Sequence, residues 1–95
     1  MRKKLRAVKE DLYEALRILA YTQTLQTSSG TEWRRNRYHL IINDRKSPLD
    51  LHLHRDISIP TSPFHKAVHN AQDVKAELHK ILDAYRKRRL AKSEH

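Results

Sequence analysis

The sequence predicts an α+β domain, αβββα, in which a three-stranded antiparallel meander is flanked by N- and C-terminal helices. Three observations carry that expectation. Apolar residues recur at helical spacing at both ends, from Leu5 to Leu19 and from Phe64 to Tyr85. Between these ends, stretches around 38–42 and 49–53 alternate apolar and polar residues with the period of a strand. Turn-forming residues gather at 27–31 and 44–48, where the chain must reverse.

Each element follows in order. Leu5, Val8, Leu12, Ala15 and Leu16 make one apolar stripe, with Lys4, Lys9, Glu10, Asp11 and Arg17 off it, which predicts a helix from about residue 2 to 16. "ILAYTQTLQT" is rich in Tyr, Thr and Leu, so a strand takes over near Arg17 or Ile18; the competing reading is one helix running to about residue 25. "TSSGT" is a turn, with the chain's one glycine, Gly30, available for a positive φ. "EWRRNRYHLIIND" reads as a single strand with Tyr38, Leu40 and Ile42 on one face and Arg35, Arg37 and His39 on the other. After the turn "DRKSP", "LDLHLHRD" sets Leu49, Leu51 and Leu53 against Asp50, His52, His54 and Asp56.

Pairing Ile42 with Leu49, Leu40 with Leu51 and Tyr38 with Leu53 makes the apolar rows coincide, and matched rows fix a register. That register brings His39 beside His52 and Arg37 beside His54. Ser62 then caps a C-terminal helix that starts at Pro63; a break at Asn70, with Asp73 capping a second helix, is the alternative. The chain closes on the basic turn "YRKRRLAKSEH", frayed from about residue 88.

Ninety-five residues suffice for a single domain, 1–95, with one modest core. There is no cysteine, so disulfides and cysteine-held zinc are excluded. No apolar run approaches the ~20 residues of a membrane span, and no apolar h-region follows the basic start, so the expectation is a soluble, cytoplasmic protein without membrane partners. Twenty Lys and Arg stand against eleven acids, a formal charge of +9. That excess predicts attraction to polyanions, RNA more than DNA, or to an acidic partner.

Three chemistries compete for the histidines. His52 with His54, or His65 with His69, are spaced to share a metal, but no HExxH pattern supports one, and neither metal nor cofactor is expected. His39, His52, His54 and Arg37 form a candidate catalytic group: two imidazoles that titrate near neutrality can move protons on and off a ribose while arginine holds the phosphate. That is metal-independent ribonuclease chemistry. Binding without reaction requires less: Arg34, Arg35 and Arg37 for phosphates, Trp33 for stacking, and Arg86, Arg88 and Arg89 in the tail. The plain alternatives are a wet strand face, a Trp that seals the sheet edge against a helix and a solvated basic end.

The order "RYHLIIND…DLHLHRD…PFHKAVH…LHKILD" resembles the small TumE-like toxins of prokaryotic toxin–antitoxin pairs, over about residues 17–85. Arg37 and Tyr38 match the family's first strand, Arg55 and Asp56 its second, and His65 the first histidine of its turn. The family's second turn histidine falls at Ala67, and glycines common around that turn are missing. The resemblance implies a toxin that acts on RNA or on translation and is neutralised by an antitoxin protein. A non-catalytic RNA- or ribosome-associated protein and a DNA-binding accessory protein are the other classes.

Overall fold

The computed structural model describes residues 1–55 and 68–93, with side chains in the second stretch from residue 72. Seven elements follow one another: β1 (Arg2–Leu5), α1 (Lys9–Ile18), β2 (Thr22–Thr27), β3 (Gly30–Arg35), β4 (Tyr38–Asn43), β5 (Leu49–Arg55) and α2 (Val68–Ser93). The α+β class stands, but the sheet has five strands, in the order β1-β5-β4-β3-β2, all antiparallel.

Two local decisions account for the extra strands. The first is at the start of the chain, where "RKKL" is a strand on the free edge of β5 rather than the first turn of a helix. Leu5 then lies opposite Leu49 and is partly buried against the core, while Arg2 and Lys4 lie opposite His52 and Asp50. The second is at Asn36, which takes φ 54° and turns "EWRRNRYHLIIND" into the hairpin β3–β4, pairing Arg35 with Tyr38. Asn tolerates this left-handed conformation better than most residues with a side chain.

α1 starts later than the expected helix and ends two residues beyond it, at Ile18, with the following strand beginning only at Thr22. Its N-cap, Val8, has no side-chain cap; instead its N–H donates to the Tyr85 hydroxyl of α2 at 3.0 Å. At the other end Ala20 adopts φ 69°, Ala20 N–H donates to Arg17 O and Tyr21 N–H donates to Leu16 O. These are the two bonds of a Schellman motif, which stops the helix and releases the chain into β2. α2 runs through Asn70 without a break, and its expected start at Pro63 lies outside the described residues.

Both helices pack on one face of the sheet. Leu12, Ala15 and Leu16 of α1 and Val74, Leu78, Ile81, Leu82 and Tyr85 of α2 bury themselves against Trp33, Leu40, Ile42, Leu49, Leu51 and Leu53. At about 1.5–3 kcal/mol for each large side chain taken fully out of water, this face dominates stability. Polar links add orientation. Arg35, expected on the polar face, lies on the helix side; its guanidinium donates to Glu77 at 2.9 and 3.1 Å and to Leu19 O at 3.1 Å, over the Tyr21 ring. Asp11 of α1 is held by Arg89 at 2.8 Å and by Lys92, and Glu14 by Arg88 at 2.5 Å. The bond from Lys92, then that from Arg89, keeps the Asp11 carboxyl below its usual range.

A second polar chain closes the α1 side of the core. Trp33 Nε1 donates to Thr31 Oγ1, which donates to the Tyr13 hydroxyl, which donates to Asp44. Burial first, and then the bond to Asp44, pushes the Tyr13 phenol up to about 12. Both sheet edges are polar: β2, TQTLQT, is exposed throughout and β1 is basic, compositions that discourage edge-to-edge pairing with another chain.

Candidate nucleic-acid interface

With both helices on the leucine face, the register decides what meets on the other. β4 and β5 pair Ile42 with Leu51, Leu40 with Leu53 and Tyr38 with Arg55, two residues away from the expected alignment. The offset is even, so every side chain keeps its expected face. Leu49 pairs with Leu5 of β1, and the last β4–β5 partners are Asn43 and Asp50. His39 therefore lies opposite His54, not His52, and His52 lies between Ile41 and Arg2.

This register draws the histidine group together. His39 Nδ1 and His54 Nε2 share a hydrogen bond of 3.2 Å, their rings edge to face at 4.7 Å. Glu32 of β3 places a carboxylate oxygen 2.6 Å from His39 Nε2, off the line of a well-directed hydrogen bond. A row Glu32–His39–His54 thus crosses three strands. His52 extends it, its ring 5.6 Å from that of His54. His39 is only 8% exposed, whereas His52 is open to solvent. Partial burial, the ammonium group of Met1, and the neighbouring His54 and Arg2 lower the His52 pKa from its usual value against the opposing pull of Asp50.

Chemically, this is one exposed imidazole biased toward its neutral form, beside a coupled imidazole pair with a carboxylate behind it. Cations frame it: Arg34 is the partner of His39 across β3–β4, and Arg2, salt-bridged to Asp50 at 2.6 Å, is the partner of His52. Glu32, Arg2 and Lys4 did not figure among the sequence candidates. Their signal is the alternation of "TEWR" and "RKKL", readable once those segments are known to be strands.

The other expected site residues scatter. Arg37 is exposed on the β3–β4 turn and does not stand beside His54. Trp33 is 1% exposed in the core and offers no ring face to a base. Arg35, Arg88 and Arg89 are committed to carboxylates within the fold, and Arg86 lies 3.4 Å from Asp83 along α2. Of the residues matched to the toxin family, Tyr38 and Arg55 are cross-strand partners, and Arg55 donates to Asp73 of α2 at 2.9 Å. Tyr38 packs on the helix side, so this pair lies across the sheet from His39 and His54. Asp56 and His65 lie outside the described residues, which also leaves the His65–His69 pair unplaced.

Family models, curated proteins and solved structures give no match to this chain. Fold and site therefore rest on the chain's own geometry. Among the described residues, no cluster of three or more His, Asp or Glu is arranged to hold a metal ion, and no helix is long and apolar enough to cross a membrane.

Proposed function

We propose that the protein is a toxin-like ribonuclease that binds single-stranded RNA across the polar sheet face and cleaves it without a metal. The observation that carries the reading is the contact between His39 and His54 at 3.2 Å, backed by Glu32 and flanked by exposed His52. In this reaction His52 takes the proton of a ribose 2′-OH, and the 2′-oxygen attacks the adjacent phosphorus. The leaving 5′-oxygen receives a proton from the His54–His39 pair, beside which the Glu32 carboxylate lies. Arg34 and Arg2 offset the charge that grows on the phosphate oxygens. The products are a 2′,3′-cyclic phosphate and a free 5′-hydroxyl.

The resemblance to TumE-like toxins adds a biological setting, with an antitoxin protein as the neutralising partner. A second reading, RNA or ribosome binding without cleavage, is favoured by two features: the burial of His39 and the placement of Arg37 on the β3–β4 turn, outside the β4–β5 pairing.

The test uses a short single-stranded RNA and the DNA of the same sequence, each incubated with the protein in excess EDTA. Cleavage of the RNA alone, leaving cyclic phosphate ends, is expected, because DNA lacks the attacking hydroxyl. RNA that is retained but uncut selects the second reading.

A further inference from the structure

At the end of the polar face away from the histidine pair, Lys4, Asn43, Arg45, Lys46, Pro48 and Asp50 enclose an open recess of about 590 Å³. We propose that this recess is a phosphate subsite for a second position on the same RNA strand. The inference rests on the RNA reading of the polar face.

Charge bookkeeping favours an anion there. Lys4, Arg45 and Lys46 are exposed and have no ion-pair partner among the described residues. The two carboxylates nearest the recess are already engaged. Asp50 is salt-bridged to Arg2 at 2.6 Å. Asp44, within the loop itself, is turned to the helix side, where it accepts from Tyr13 at 2.6 Å and lies 3.5 Å from Lys9. Asn43 accepts the Arg45 N–H at 3.2 Å through its side-chain oxygen, which pins the loop and leaves its amide nitrogen as a donor.

Continuity argues for a nucleic-acid phosphate over a free anion. Lys4, Asp50 and Asn43 are successive cross-strand partners on the face that carries His52 and His54. Asp50 and His54 are four residues apart on β5, about 13 Å at the rise of a strand. An oligonucleotide spans that length and a mononucleotide does not. A chain anchored at the recess is drawn across the histidine row.

The probe is a fluorescent, 2′-O-methylated hexauridylate, which this chemistry cannot cut, titrated at several salt concentrations. Against the unaltered protein, the triple variant Lys4→Ala, Arg45→Ala, Lys46→Ala is expected to bind at least about tenfold more weakly. Its slope of log affinity against log salt should be shallower by about 0.7, the value for one phosphate contact on a single strand. A control triple on α2, Lys75→Ala, Lys80→Ala, Lys87→Ala, removes the same charge and should leave the slope unchanged. Equal losses in both triples, or no loss in the first, overturn the subsite. Cleavage of unmodified RNA is scored separately by the unaltered protein: if it fails while the slope difference holds, the ribonuclease reading falls and the subsite stands.

Discussion

In the double variant His52→Ala, His54→Ala, RNA cleavage should fall by about 10²–10⁴-fold or more, the contribution of positioned proton-transfer groups. The fold should persist, because His52 is exposed and His54 only half-buried, on the face opposite the leucine core. The pH profile separates the two roles. A general base works in its neutral form, and the His52 pKa is lowered from its usual 6.5. The acid limb of kcat/KM should therefore lie below pH 6.5, and in His52→Ala alone that limb should disappear while the alkaline limb remains. Full activity in the double variant would return this row to an ordinary solvated strand face.

Gly30→Ala should strongly destabilise the sheet. Gly30 is the first residue of β3, opposite Asn43, and a Cβ added there would lie 1.8 Å from the Ile42 carbonyl oxygen and 2.9 Å from its carbon. Both obstacles are backbone, so no rotamer change relieves them; β3 and β4 must separate. Overpacking of this kind exceeds the usual 1–3 kcal/mol, and about 3 kcal/mol or more is expected. For a domain of this size that lowers the Tm by roughly 12 °C or more, read by circular dichroism. A Tm within a degree or two of the unaltered protein would contradict the strand pairing described.

The same glycine illustrates what was legible in the sequence. "TSSGT" does mark a reversal, but Ser28 and Ser29 make the turn, and Gly30 is required for the close approach of β4. That need arises from a strand 13 residues away, which local turn chemistry cannot register. The faces of β4 and β5 were readable because apolar and polar residues alternate strictly; the register was not, because shifting it by two leaves both faces unchanged. β1, on the other edge of β5, sets Leu5 opposite Leu49. β1 was missed in turn because Leu5 and Val8 also fit a helical stripe, and pairing with an open sheet edge overrides that weak local preference. Among the site residues, the histidines were visible as an exposed row. Their partner Glu32 was not, since Asn36 conceals a hairpin inside what reads as one long strand. Basic residues mislead for a different reason: charge alone does not distinguish Arg34 on the open face from Arg35, whose guanidinium is spent on Glu77.

On the proposed reading, RNA lies on the polar sheet face, over the histidine row, and not along the basic helix α2. Backbone and imidazole chemical shifts, followed by NMR as the 2′-O-methylated hexauridylate is added, test it most directly. The largest changes are expected at Arg2, Glu32, Arg34, His39, His52 and His54, with α2 little affected. Changes concentrated at Lys75, Lys80, Arg86 and Lys87, with the histidine signals still, would contradict it.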